Sequence, residues 1–258
     1  MSLDIGHILD DWPYEHGQIS ARKIRGDDGR EKIQLRLDVG LLQMEVSGRP
    51  DGMHPHGYES LLSYYEDALE KHRAPGGQVA DFDLDERACE LLRNEAVMYY
   101  HRYLAEFVLE EYPAVVRDTA RNLRVMDLCR EYAREESDRF ALEQHRPYVV
   151  MMRTRAAALE GLMDNRPKAA LEAVRQGVAE IEEYYQRFAQ EEEMDASGEL
   201  AILRALAKDI EGRVPADPIN KIKNRLARAV HEERYEEAAM LRDQLRQLTG
   251  NELAGGGY

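Results

Sequence analysis

Two apolar stripes near the C-terminus restrict the fold of this chain more than any other feature. Each stripe has four residues at steps of three, four and three positions: Ile219, Ile222, Leu226 and Ala229, then Ala238, Leu241, Leu245 and Leu248. This spacing places each stripe on one face of a helix. Asp217 and Pro218 suit a first helical turn, and Gly250 suits a left-handed cap at the end. The sequence therefore predicts two amphipathic helices that face each other and reverse near residues 232–234.

The second of these helices contains an ordered set of residues that resembles a known motif. Its order is aromatic-Glu-x-Ala-Ala-x-Leu-Arg-Asp, provided by Tyr235, Glu236, Ala238, Ala239, Leu241, Arg242 and Asp243. With Ile222 and Leu226 upstream, this segment resembles the UVR motif, a C-terminal helical hairpin shared by the excision-repair proteins UvrB and UvrC and carried by the chaperone-associated proteins McsA and ClpC. The resemblance implies an interaction element, not a catalytic one. It also implies that the hairpin pairs with another such hairpin, on a second copy of the chain or on another UVR-motif protein.

The resemblance and the stripes together define a predicted partner-binding set. Its members are Ile222, Leu226, Tyr235, Ala238, Ala239, Leu241, Arg242, Asp243 and Leu245. A hairpin of roughly 35 residues is smaller than the ~40 residues below which an isolated core usually fails. The hairpin must therefore pack either on the chain's own helices or on a partner, and the polar, proline-containing approach at residues 212–217 favours a partner.

The remainder of the chain departs from every named relative. It lacks the nucleotide-binding motifs of UvrB and ClpC and the zinc-binding cysteine pairs of McsA. Glu233 also stands where many family members have an apolar residue. Neither a role in repair nor one in proteolytic control follows from the resemblance.

Charge and composition narrow the class of protein. The 258 residues include 35 basic and 50 acidic side chains, and the net charge of −15 opposes indiscriminate binding to phosphate backbones, so nucleic acid is an unlikely partner. Residues 215–250 carry a net charge of +1, so the hairpin differs electrostatically from the acidic remainder. Cys89 and Cys129 have no paired spacing and suggest buried thiols in a reducing compartment. Because neither a signal peptide nor an 18-residue apolar run is evident, we expect a cytoplasmic protein without a membrane span.

Residues 18–46 are the only segment with a convincing strand pattern. Ile33, Leu35, Leu37 and Val39 alternate with polar residues, and residues 26–29 supply a turn before them. The sequence therefore predicts a β-hairpin. The alternation changes parity at Gly40, which predicts a bulge or bend there.

From Tyr58 onward the pattern predicts helices. They are expected at 58–73, 83–110, 113–142, 147–163, 167–193 and 198–211, with Pro113, Pro147 and Pro167 each in a first turn. The predicted fold is mainly α: a small N-terminal β-hairpin element, a helical bundle or solenoid-like body, and a C-terminal antiparallel helical hairpin. The expected regions are a β-containing region 1–57, a helical body 58–196, a connecting helix with the hairpin 197–250, and a flexible tail 251–258.

Three further groups of residues have both a functional and a structural interpretation. Tyrosine clusters at 64–65, 99–103 and 184–185 could line a groove, since adjacent tyrosines on a helix cannot both face the core, but rim packing is the simpler interpretation. His54 and His56 could bind a metal, although such pairs in loops are more often solvated. Six basic residues of the β-hairpin could touch nucleic acid, although their mixture with acidic residues favours a solvated strand face: Arg22, Lys23, Arg25, Arg30, Lys32 and Arg36.

The sequence thus favours a non-enzymatic adaptor that pairs through its hairpin, as a dimer or with another protein. No nucleotide-binding or hydrolase motif is present, so no catalytic residue, metal or cofactor is predicted. Two alternatives remain open. One is a repair accessory that contacts DNA through the β-hairpin, and the other is an enzyme with a site between the β element and the first helices.

Overall fold

The chain divides into two compact units in a computed structural model, Met1–Ile210 and Glu211–Tyr258. The structure describes residues 4–74, 82–213, 226, 228–230, 232 and 234–254. Its fold class is the predicted one: mainly helical, with a small antiparallel sheet near the N-terminus and a helical hairpin at the C-terminus. The strands are β1 (Ala21–Arg25), β2 (Glu31–Leu37) and β3 (Gly40–Glu45).

The helices of the first unit occupy most of the chain after the sheet. They are α1 (Gly6–Leu9), α2 (Leu61–Arg73), α3 (Glu86–Val108), α4 (Tyr112–Tyr132), α5 (Glu136–Phe140), α6 (Arg146–Met163), α7 (Pro167–Arg187), α8 (Glu191–Asp195) and α9 (Gly198–Arg213), which extends past the boundary between the units. Short 3-10 turns lie at Pro55–Gly57 and Glu143–His145. None of the helices in the described ranges is long and apolar enough to cross a membrane.

The sheet has the order β1-β2-β3, and both pairs are antiparallel. The predicted hairpin between the first two strands is confirmed, but the predicted bulge or bend at Gly40 is wrong. The chain reverses at residues 38–39, and Gly40 begins β3 opposite Leu37. In this register Ile33 pairs with Met44 and Leu35 with Leu42, so odd positions of β2 share a face with even positions of β3. The change of parity therefore marks a second hairpin.

Both faces of β2 are covered. Ile33, Leu35 and Met44 form an apolar cluster with Ala105 of α3, so the sheet packs on the helices through the alternating face. Of the basic residues predicted to lie on a solvated strand face, Lys23, Arg25 and Arg30 are exposed. Lys32 and Arg36, on the opposite face of β2, are buried, which contradicts the prediction for this strand. Arg36 donates from Nε to the Trp12 carbonyl at 2.8 Å and from Nη1 to the Gly40 carbonyl at 2.9 Å, so its buried guanidinium is held by backbone acceptors.

The helices begin largely where the sequence predicts, with Pro113, Pro147 and Pro167 each in a first turn. Two predicted helices end early. The predicted helix 113–142 ends at Tyr132, because Ala133 is extended and bridges to Leu84; the Leu84 amide donates to the Tyr132 carbonyl at 2.8 Å. The predicted helix 167–193 ends at Arg187, two residues before Ala189 adopts a φ of 51°.

Small residues bring α6 and α7 close together. A Cβ on Gly177 would lie 2.1 Å from the Thr154 hydroxyl oxygen, and one on Gly161 would lie 3.2 Å from the Ala170 Cβ. The first of these distances is too short for any side chain larger than hydrogen. Further contacts link α3 to α4 and α4 to α6, as in a helical bundle.

A buried arginine connects the sheet to the helices. Arg102 of α3 binds the Asp118 carboxylate of α4 through two hydrogen bonds, at 2.6 and 3.0 Å. Its Nη1 donates to the backbone carbonyls of Glu45 and Gly48, at 2.9 and 2.8 Å. Both charged side chains are buried. Glu106 lies beside this pair, and burial raises the pKa of its carboxyl group to about 8.

The two cysteines are buried free thiols, as predicted. Cys89 of α3 and Cys129 of α4 belong to one apolar cluster. Their surroundings are those of core residues.

Candidate functional site

The C-terminal hairpin has two arms. In the first arm, Leu226 and residues 228–230 are helical, and the second arm is the helix Tyr235–Ala254. The predicted reversal near residues 232–234 is confirmed: the Glu232 amide donates to the Arg228 carbonyl at 2.9 Å, and the Arg234 amide donates to the Ala229 carbonyl at 2.8 Å. The predicted cap formed by Asp217 and Pro218 lies outside the described residues.

The second arm does not end at Gly250 as predicted. It continues through this glycine to Ala254. A glycine inside a helix costs only about 1 kcal/mol relative to alanine, so it permits a C-terminal cap without imposing one.

The inner face of the hairpin is a small apolar cluster. Ala229 of the first arm packs with Ala238 and Leu241 of the second arm, and Leu226 lies half-buried beside them. Short alanine side chains allow the two arms to approach closely. Three members of the predicted partner-binding set, Leu226, Ala238 and Leu241, therefore take part in closing the hairpin itself.

The other members of the set occupy different environments. Ala239 and Leu245 are half-buried, and Tyr235, Arg242 and Asp243 are exposed. Ile222 lies outside the described residues. The structure thus separates the predicted set into a buried part and an accessible part.

The accessible part includes a continuous face of the second arm. Tyr235, Ala239 and Arg242 follow one another at steps of four and three residues, so they lie along one side of the helix. The Tyr235 side chain is 68% exposed. The exposed apolar residues Met240 and Val230 were missed by the sequence analysis, because they lie off the two stripes that the periodicity identifies.

Charged residues around the reversal are paired with one another. Glu232 accepts a hydrogen bond from Arg228 at 2.9 Å and lies 2.5 Å from the Arg234 guanidinium. The hydrogen bond from Arg228 lowers the pKa of the Glu232 carboxyl group. Arg234 also contacts Glu237 at the start of the second arm. Arg228 and Arg234 are thus each paired with an acidic residue at the reversal.

The metal site considered at His54 and His56 finds no support in the geometry. Within the described part of the chain, no group of three or more His, Cys, Asp or Glu side chains could hold a metal ion. His56 instead stacks on Tyr64, with ring centroids 4.4 Å apart. The imidazole therefore packs as an aromatic ring on α2.

The tyrosine clusters behave differently from one another. Tyr99 is buried and Tyr100 is exposed, as expected for adjacent positions on a helix. Tyr184 and Tyr185 are both buried, which contradicts the expectation that adjacent tyrosines cannot both face the core. Their ring centroids lie 5.3 Å apart in an edge-to-face contact, and the Phe188 ring lies 4.9 Å from that of Tyr184. The Tyr184 ring is therefore covered by two aromatic neighbours.

Comparison with known proteins identifies the hairpin segment alone. The UvrB/uvrC motif family, UVR, matches residues 216–249, and no other part of the chain matches a family. No curated protein and no solved structure matches the chain significantly. In excision-repair proteins the UVR motif is a protein- and DNA-interaction motif. The C-terminal segment of this chain is therefore a UVR motif.

Proposed function

We propose that this chain is a non-enzymatic, cytoplasmic adaptor that pairs through its C-terminal hairpin with a like hairpin, either on a second copy or on another UVR-motif protein. The observation that carries the proposal is the accessible face formed by exposed Tyr235, half-buried Ala239 and exposed Arg242 on a hairpin whose inner cluster is already closed. This face is free to contact a partner without opening the hairpin.

The chemistry of this face suits a protein partner. Tyrosine and arginine are enriched at the centres of protein interfaces, because each combines a large apolar contact area with hydrogen-bonding groups. Ala239 lies between them and is small enough for another helix to approach. The hairpin region carries a net charge of +1, so two copies repel each other little.

The proposal predicts that Ala239→Glu abolishes pairing and leaves the fold intact. The new carboxylate would stand at the centre of the accessible face, where pairing would remove it from water without a partner. Pairing is measured on the full chain by light scattering over a range of concentrations, and by capture of UVR-motif proteins from the native host. Circular dichroism reports the fold of each variant.

The matched control is Gln244→Glu, which adds the same charge at an exposed position on the other side of the second arm. We expect this variant to pair like the parent. If Ala239→Glu keeps the parent's mass and captures the same UVR-motif proteins, the accessible face is not the association surface and the proposal is wrong.

The alternative, a repair accessory that contacts DNA through the sheet, is tested by the affinity of the chain for duplex DNA. Basic residues of the sheet already contact acids: Lys32 binds Glu45 and lies 2.9 Å from Asp28, and Lys23 binds Glu111. We therefore expect affinity for duplex DNA weaker than about 0.1 mM at physiological salt, the weak end of non-specific binding. Fluorescence anisotropy checks this expectation. Micromolar binding with a steep dependence on salt would favour the repair accessory over the adaptor.

A further inference from the structure

A cavity of about 400 Å³ lies between α3, α4 and α6, far along the chain from the UVR motif. Its apolar walls include Ala96 and Val97 of α3, Met126 of α4 and Val149 of α6. Val97 is exposed, so the cavity opens to solvent beside it. We call this cavity the tyrosine pocket, because Tyr100, Tyr103 and Tyr148 all line it. Its volume is within the range of about 300–1,000 Å³ typical of small-molecule sites.

One hydroxyl group that lines the tyrosine pocket is available to a ligand. Tyr103 is 1% exposed, and no described residue forms a hydrogen bond with its hydroxyl group. The neighbouring Asn122 side chain is already engaged, since its Nδ2 donates to the Ala96 carbonyl at 2.9 Å and its Oδ1 accepts from Arg121 at 3.1 Å. Because Tyr103 lines the cavity, a ligand acceptor there could take the hydrogen bond of its hydroxyl group. Burial raises the pKa of Tyr103, which keeps this hydroxyl protonated as a donor.

Aromatic rings surround the opening. Tyr100 contacts Tyr103 edge to face at 5.4 Å and lies 6.3 Å from Tyr148. His101 lies 5.3 Å from Tyr100. Rings arranged in this way present faces and edges to a flat ligand, and aromatic pairs prefer such offset or edge-to-face contacts.

The tyrosine pocket also differs from the rest of the chain in charge. A third of all residues are charged, yet no Asp, Glu, Lys or Arg is among the described residues that line it. Burial lowers the pKa of His101, which keeps that imidazole neutral at pH 7. An ionised ligand would lose its hydration here without gaining an opposite charge as a partner. A neutral ligand avoids this cost.

We propose that the tyrosine pocket binds a neutral aromatic small molecule whose hydrogen-bond acceptor is positioned by the Tyr103 hydroxyl group. The ring of the ligand lies among Tyr100, Tyr148 and the apolar walls, and its acceptor faces the Tyr103 hydroxyl group. This site is independent of the hairpin, so it adds a ligand-binding function to the proposed adaptor.

Benzamide and benzoate are matched probes for this proposal. They have the same ring and nearly the same shape, but benzamide is neutral with a carbonyl acceptor and benzoate is an anion at pH 7. Ligand-observed NMR titration of the full chain should show saturable benzamide binding at least about tenfold tighter than benzoate binding, since the anion loses its hydration. Equal affinity for the two probes would overturn the proposal.

Variants locate the site. Val97→Trp should abolish benzamide binding by filling the opening, whereas Val108→Trp, at a similarly exposed position of α3 outside the pocket, should bind like the parent. Tyr103→Phe removes only the hydroxyl group and should weaken binding by about threefold to tenfold, the equivalent of one hydrogen bond. Circular dichroism confirms that each variant is folded.

Two results would contradict the assignment. Benzamide binding that is unchanged in both Val97→Trp and Tyr103→Phe would place the probe elsewhere on the surface. Absence of saturable benzamide binding to the parent would leave the cavity to another occupant, such as an aromatic side chain of a protein partner, and the small-molecule proposal would be wrong.

Discussion

Replacement of Arg102 by methionine is expected to lower the free energy of unfolding by about 3–5 kcal/mol, because it leaves a buried charge without its partner. Asp118 would lose both of its hydrogen bonds from Arg102 and would keep only the one from Nε of Arg117, whose side chain is half exposed. The backbone carbonyls of Glu45 and Gly48 would also lose their shared donor. Urea unfolding of the full chain, followed by circular dichroism, measures the change.

Two further variants separate this effect from a general loss of an arginine on α3. Arg87→Met removes an exposed arginine of the same helix and should change the free energy of unfolding by less than about 1 kcal/mol. Arg102→Met combined with Asp118→Leu removes both charges and should recover part of the loss, since an unpaired buried charge costs more than an absent pair. An Arg102→Met variant as stable as Arg87→Met would show that the buried pair contributes nothing net.

The second large effect is expected for Leu35→Asp, at about 3–5 kcal/mol, since the substitution leaves a carboxylate inside an apolar cluster. Leu35 is buried on the face of β2 that packs against α3, and it pairs with Ala21 and Leu42 in the sheet. Thermal unfolding measures the loss. Leu37→Asp is the matched control, because Leu37 lies on the same strand and the same face but is 38% exposed. An unchanged melting temperature for Leu35→Asp would show that Leu35 of β2 is not part of the core.

Features of the fold that depend on local sequence were predictable. The alternation of Leu35 and its neighbours identified the face of the sheet that packs on α3, and prolines in first turns identified the starts of α4, α6 and α7. These signals are local, since a strand alternates every two residues and proline is tolerated only at the start of a helix.

Features that depend on remote residues were not predictable. The end of α4 is set by Leu84, which pairs with Ala133 across nearly fifty residues of chain. The role of Arg102 was missed because its acceptors on Glu45 and Gly48 are more than fifty residues away. No periodicity connects such positions.

The hairpin shows the same limit at the candidate site. Periodicity identified the inner residues Ala238 and Leu241, because an apolar stripe reports which side of a helix is buried. Periodicity could not decide which remaining residues stay accessible, and the motif resemblance added exposed Arg242 to the same partner-binding set as buried Leu241. The tyrosine pocket was predictable only as a cluster of tyrosines at 99–103, because Tyr148 and Asn122 join it from other helices.

The close approach of α6 and α7 has a consequence for how this sequence can diverge. A Cβ at position 177 would lie 2.8 Å from the Thr154 Cβ, an atom that every residue except glycine carries, so position 177 can change only with glycine at 154 or with a wider separation of the helices. A Cβ at position 161 would lie 3.2 Å from the Ala170 Cβ and 3.3 Å from its backbone nitrogen, so this position is restricted as well, though less tightly. Distant relatives of the first unit should therefore keep this spacing of small residues across the helix pair after most surface positions have drifted, and these four positions would reveal common ancestry where overall identity no longer does.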